Sequence, residues 1–407
     1  MRALFLTWDG PHQSYLESLF FPIFAGLRAH DVDVSVLQLT WAADAQLEAV
    51  ANAAHAHGVC YARRRVPPLL RKALLPSVLA YGAWSAARLM RDQGIRTLFP
   101  RSLLPMGMAL MARRFLPSLD LMFDADGFMA DERVDFGGWR PSGLPYRALR
   151  QIEARGTRQA RAVICRTDSA RELLVARGGG TVALREKIFV APNGKDTTLF
   201  APRGTGPNRA VRARYRVGEG APWLVHVGSI GAQYCPELML QTFARILAQR
   251  PDAHLSCFTF QGAALQALAE RQGLPRGSFS VGPLAPNDVP EVLSAADLGF
   301  AFRLESSSQR GVSPIKVGEY LLCGLPVVTS RVGDLEMQLR GSPAARLVSL
   351  TTPEAAQSVA DWFVASVLPE RSELGRQARA LGLRWFDLQR CVETYARAAR
   401  HGLGTRS

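Results

Sequence analysis

At 407 residues the chain is too long for one ordinary hydrophobic core and points to two domains, which its 48% of apolar residues can fill without any repeat or low-complexity tract. A formal charge of +14 draws it toward an anionic partner or simply reflects an arginine-rich composition. With no recognition helix, zinc finger or aromatic ribonucleoprotein motif in the sequence, that partner is not expected to be nucleic acid.

Short apolar runs alternate with longer helical patterns throughout, which predicts an α/β chain of two Rossmann-like, doubly wound domains. In the first half, strands are expected near residues 3–7, 32–37, 58–61, 97–99, 119–123, 162–165 and 187–191. Helices such as 15–29 and 146–160 lie between them. Arg63, Arg64, Arg65, Arg71 and Lys72 form the densest basic cluster. The uncharged stretch 73–87 that follows is too short to span a bilayer; it reads as a packed helix or a segment resting on a membrane surface. APRGTGPNR at 201–209 has no apolar periodicity and reads as a linker, dividing the chain into domains 1–200 and 201–386. The second half restarts with a strand at 223–227, a helix at 236–248, a strand at 253–258, a helix at 263–272 and a strand at 278–281. Strands at 298–302 and 326–329 follow. A cleft at the carboxyl ends of the strands is the expected ligand site.

Six cysteines without a CxxC pair read as buried thiols of a reducing compartment, and the apolar run in MRALFLTWDG is too short for a signal peptide, so a cytoplasmic location is expected. His55 and His57 lack a third ligand, and the turn G-S-I-G is not G-x-G-x-x-G. Neither a metal nor a cofactor is therefore expected.

SPIKVGEYLLCG at 313–324 carries the strongest chemical signal. Only four of the 49 basic residues are lysines, namely Lys72, Lys187, Lys195 and Lys316. Ser313 is a favourable helix cap, Pro314 suits the first helical position, and Gly324 supplies a left-handed stop. The free amides of Ile315 and Lys316 and the positive helix terminus then make an anion site. Glu319, three residues beyond Lys316, shares its face and suits ribose hydroxyls beside a diphosphate. A plain solvated Lys316–Glu319 pair, worth about 0.2–0.5 kcal/mol, is the competing reading.

The run SPIKVGEYLLCGLPVVTSRVGD resembles the nucleotide-binding signature of the family four, retaining glycosyltransferases of GT-B fold. VAPNGKDTTLFAP at 190–202, HVGSIG at 226–231 and DVPEVLSAADLGFAF at 288–302 resemble the same family's other segments in the same order. The resemblance implies transfer of a sugar from a nucleotide-diphosphate donor to a glycan or lipid-linked acceptor, with retention, without metal, in surface polysaccharide or glycolipid synthesis at the cytoplasmic membrane face. It also implies that a final amphipathic helix, 387–403, packs back on the first domain. Donor contacts would come from Gly228, Ser229, Arg303, Arg310, Ser313, Pro314, Ile315, Lys316 and Glu319. The family's first glutamate falls on Gly311, for which Glu305 is the nearest substitute, and the loop GSIGAQYCPE lacks the family's Arg and Lys. A non-catalytic partner subunit is therefore an alternative reading.

In the first half, Gly10 and His12 in TWDGPHQS are candidates for the substrate side. Asp124 and Asp126, in MFDADGFMADER, end a strand and are expected to orient the acceptor, with help from Asp131 and Glu132; capping the following loop is the plainer role. Their Asp-x-Asp-Gly order also resembles the haloacid-dehalogenase phosphatases, although Phe128 stands where that loop wants Thr.

Overall fold

The structure is a computed structural model that describes residues 1–11, 14–71 and 74–401. Two compact units emerge: Met1–Pro192 with Ser307–Val312 and Leu388–Ser407, and Asn193–Ser306 with Ser313–Asp387. Among the described residues the first unit holds a seven-stranded parallel sheet. Its strands are β1 (Arg2–Asp9), β2 (Asp33–Thr40), β3 (Tyr61–Arg65), β4 (Thr97–Pro100), β5 (Asp120–Asp124), β6 (Ala162–Cys165) and β7 (Ile188–Val190), in the order 3-2-1-4-5-6-7. The second unit holds a six-stranded parallel sheet of β8 (Trp223–Val227), β9 (His254–Phe258), β10 (Phe279–Gly282), β11 (Leu298–Ala301), β12 (Val327–Ser330) and β13 (Ala345–Val348), in the order 10-9-8-11-12-13.

Central strands in both sheets are buried along most of their length: Phe5 and Leu6 in β1, and Leu224 and Val225 in β8, have no exposed surface. Such runs are what a parallel sheet covered on both faces requires. In each sheet the strand order reverses once, between β1 and β4 and between β8 and β11. Loops leaving neighbouring strands there diverge and open a crevice at the carboxyl ends.

Several expectations shift. The strand expected at 58–61 lies instead at Tyr61–Arg65, so the arginine cluster rides on an edge strand, where charge deters further pairing. The expected linker is half helical, because Thr205–Arg214 begins inside it with Gly204 at its cap. The stretch 73–87 falls largely in the helix Leu75–Gln93, which buries Val78, Ala83, Ala86 and Met90 on one side. No helix among the described residues is long and apolar enough to cross a membrane. The helix Leu388–Arg400 belongs to the first unit, where Cys391, Val392, Tyr395 and Ala399 are buried.

Candidate functional site

In the second unit the helix Ile315–Leu322 is short and tightly fastened. The hydroxyl of its Tyr320 accepts from the Val227 amide at the end of β8 (2.9 Å). At its C-terminal end a Cβ on Gly382 would lie 2.7 Å from the Leu322 amide nitrogen, so the helix Arg371–Trp385 packs on it backbone to backbone. Pro314, not Ser313, is the cap residue, and no side chain caps the first turn. The expected Ser313 cap is thus corrected: its hydroxyl accepts from the Asn193 amide (3.3 Å) and its carbonyl from the Asn193 side chain (2.7 Å). The amides of Ile315 and Lys316 remain first-turn donors without an intrahelical partner.

Lys316 reaches from this turn under the loop after β8. Gly228, whose φ is +116°, gives the loop a conformation that other residues rarely adopt, and a Cβ there would lie in ordinary contact, 3.6 Å, with the Lys316 ammonium. The ammonium lies 3.4 Å from His226 Nε2 and 4.4 Å above the Tyr234 ring. Among the described residues no carboxylate comes within ion-pair distance of it. Burial, then the neighbouring Arg303, push Lys316 down from the usual lysine value to about 7. Burial and Lys316 push His226 down to about 3, which makes it a neutral acceptor for the ammonium. Its Nδ1 lies 3.1 Å from the Phe300 carbonyl, which fits a proton on that nitrogen. Arg303, just beyond β11, donates to the Tyr234 hydroxyl (3.2 Å) and to Gln233 (3.0 Å). The loop that lacks its own cations therefore holds two supplied by other segments.

Glu319 pairs with Lys195 at 2.8 Å, which corrects the alternative of a Lys316–Glu319 pair. Both partners are largely buried, at 14% and 6% exposure. Lys195, which sequence reasoning left out of the site, sits in the quoted segment VAPNGKD. Glu305 is exposed and accepts from the Arg331 amide (3.4 Å), and Ser229 is exposed beside Gly228. Arg310 and Gly311 fall in the first unit; the Arg310 side chain is exposed while its carbonyl accepts from Thr167 (2.6 Å). A Cβ on Gly311 would lie 2.8 Å from the buried Phe128 ring, which leaves no room for a glutamate there.

In the first unit a polar cluster spans the carboxyl ends of β1, β4, β5 and β6. Arg166 donates to both oxygens of Asp124 (2.7 and 2.8 Å), and Tyr395 donates to Asp124 (2.7 Å) and accepts from Arg166 (2.8 Å). Arg101 bridges Asp126 (2.6 Å) and Asp9 (3.4 Å). Burial pushes Asp124 up against the pull of Arg166, whereas for Asp126 the attraction of Arg101 and Arg166 outweighs burial and holds it below the usual carboxylate range. Asp124 has no exposed surface and both oxygens are engaged, so its expected role toward the acceptor is corrected to that of a structural ion-pair partner. The same occupancy leaves it no freedom as a phosphatase nucleophile. Asp126, 24% exposed, keeps a face to solvent. Asp131 is held by Tyr146 (3.0 Å) and Arg177 (2.9 Å). Gly10 packs against Trp41, and His12 lies outside the described residues.

Residues 221–363 match the family model of the group 1 glycosyl transferases. The match lies within the second unit apart from Ser307–Val312. A D-inositol 3-phosphate glycosyltransferase of Segniliparus rotundus is 28% identical over 202 residues, covering 48% of this chain and 42% of that protein. The chain thus spans less than half the length of that relative. Among solved structures, HepE of Anabaena in complex with UDP and glucose superposes with a TM-score of 0.73 at 17% identity, covering 98% of this chain and 99% of that one. The lipopolysaccharide glycosyltransferase WaaG gives 0.71 at 17%, covering 99% and 100%. The fold is therefore that of the GT-B glycosyltransferases. In the second unit sequence reasoning missed His226, Gln233, Tyr234 and Lys195, and in the first unit it missed Asp9, Arg101 and Arg166. Arg101 and Arg166 each directly follow a short apolar strand, a placement at the sheet's carboxyl end that could have marked them.

Proposed function

We propose that the protein moves a glycosyl group from a nucleotide-diphosphate sugar to a glycan or lipid-linked acceptor, with retention and without metal. One observation carries the reading: the Lys316 ammonium sits on the first turn of the Ile315–Leu322 helix, below Gly228, held by uncharged His226 and Tyr234. A diphosphate bound there would meet the amides of Ile315 and Lys316, the ammonium and Arg303. Its charge would draw Lys316 back to the fully protonated form. As the sugar leaves, negative charge grows on the departing phosphate, and preorganised donors of this kind are worth roughly 3 kcal/mol each. Glu319, held by Lys195, is the proposed partner of the ribose hydroxyls. Asp126 is the proposed acceptor-side carboxylate. The UDP in the HepE structure supports a nucleotide donor for this chain as well.

An anionic membrane surface is the proposed place of the acceptor. Leu69 and Leu74 are 86% and 81% exposed near the arginines of β3, and the half-exposed Trp84 lies under Arg64 (4.8 Å) and Arg88 (5.9 Å). Apolar side chains amid cations suit such a surface.

Titrating UDP, GDP and related diphosphates with and without a chelator tests the reading, followed by slow hydrolysis of the matching sugar donor. Metal-independent binding that is lost in Lys316→Ala and Glu319→Ala is expected; binding that survives both substitutions overturns it. The packing of Phe128 on Gly311 favours one second reading, a subunit that binds the nucleotide without transferring sugar. Binding without any donor hydrolysis would select it.

A further inference from the structure

A cavity of about 830 Å³ lies wholly within the second unit, bordered by the helices Thr205–Arg214 and Arg371–Trp385 and by the turn at Cys323 and Gly324. It is at the opposite end of the Ile315–Leu322 helix from Lys316 and shares no residue with the site described above. Its volume falls within the range of small-molecule sites, roughly 300–1,000 Å³.

Its walls carry six arginines and two carboxylates, Glu219 and Asp297. Asp297 is shared between Arg212 (3.4 Å) and Arg371 (3.2 Å), Arg203 turns to Glu291 (2.9 Å), Arg209 to Glu219 (2.6 Å) and Arg376 to Glu373, so six arginines face four carboxylates. Arg379 has no carboxylate within ion-pair distance among the described residues. Its guanidinium donates instead to the carbonyls of Thr197 (2.7 Å), Phe200 (2.5 Å) and Leu322 (2.5 Å). Arg379 and Arg203 both line this cavity, together with the buried Cys323. Guanidinium charge thus exceeds carboxylate charge in a recess where water screens less than at an open surface. Between the cations the lining is apolar, with Pro202, Val217 and Pro326. Guanidinium forks match phosphate oxygens, and the apolar lining suits a body attached to them.

We propose that this cavity binds a small phosphate monoester, its phosphate between Arg203 and Arg379 and its organic part against Val217 and Pro326. The site is independent of the donor reading. Binding of phenyl phosphate to the full chain, followed by calorimetry, tests it in wild type, Lys316→Ala, Arg379→Ala and Arg203→Ala. Saturable binding is expected, unchanged within about twofold in Lys316→Ala and weakened about tenfold or more in each arginine variant, as loss of a charged hydrogen bond implies. Arg203→Ala guards against Arg379→Ala merely unfolding the chain, because Arg203 is partly exposed and its backbone amide is held separately by Ser294 (2.6 Å). No saturable binding at millimolar concentration overturns the proposal. So does binding that survives Arg203→Ala but vanishes in Lys316→Ala. Equal affinity for benzoate would replace a phosphate site by a carboxylate site, and equal affinity for inorganic phosphate would remove the organic part from the argument; either outcome overturns the assignment as stated.

Discussion

The charged clusters of the two units handle charge in opposite ways. In the first, Asp9, Asp124 and Asp126 meet Arg101 and Arg166 in a closed cluster where every charge has an opposite partner within the protein. In the second, Lys316 is steadied by an imidazole and a phenol ring, neither of which neutralises it. Buried charges that answer one another hold a scaffold together; a cation kept by neutral neighbours stays available to an anion from outside. Lys195 and Glu319, a closed pair beside the open cation, show both arrangements within one turn of helix.

The comparison breaks most visibly at Asp124. Asp124→Ala strands Arg166 and Tyr395 without exposed surface, and a loss of about 3–5 kcal/mol in chemical denaturation is expected. A loss below about 1 kcal/mol would show that the cluster is not the scaffold argued here. Lys316→Ala should do the reverse, lowering donor turnover by about 10²-fold, the effect of removing one preorganised donor, without lowering the denaturation midpoint, since the cost of burying the cation goes with it. Gly311→Glu puts a carboxylate where the resemblance implies one but drives it into Phe128, so a stability loss of about 1–3 kcal/mol with no gain in turnover is expected.

A pH series sharpens the contrast further. The folded state holds Lys316 near pKa 7 against an ordinary 10.5, so the unfolded chain binds more protons between those values. The cost of burying the cation is fully present below about pH 7 and disappears as pH rises toward 10.5. Stability of wild type relative to Lys316→Met should therefore rise across that window, and a flat difference curve would refute the assignment. The smallest effect belongs to Tyr234→Ala, which removes the ring beneath Lys316 and should weaken nucleotide binding by about 0.5–1 kcal/mol, with Tyr234→Phe close to wild type.

Much of the fold was legible because buried parallel strands are written in adjacent apolar residues. Strands 162–165 and 223–227 lie where their Val, Ile and Leu content puts them. Tyr61–Arg65 was hidden because an edge strand need not be apolar, and Thr205–Arg214 because Gly and Pro opened its first turn. The helix bearing Lys316 and Glu319 was readable from its own spacing and end signals. Its partners were not, since His226, Tyr234, Arg303 and Lys195 come from three other segments whose meeting depends on strand order. The Asp124 cluster shows the same limit: Arg166 and Tyr395 are 229 positions apart, and nothing local in either segment announces the other.

The contact of Gly382 with the Leu322 backbone has a mechanical consequence. Two helices that touch through their main chains have no side-chain layer to slide on, so the segment carrying Lys316 and the one carrying Arg379 should tilt as a single rod. Whatever tugs one end of that rod is felt at the other, and a methyl group at position 382 would lift both from their seat together.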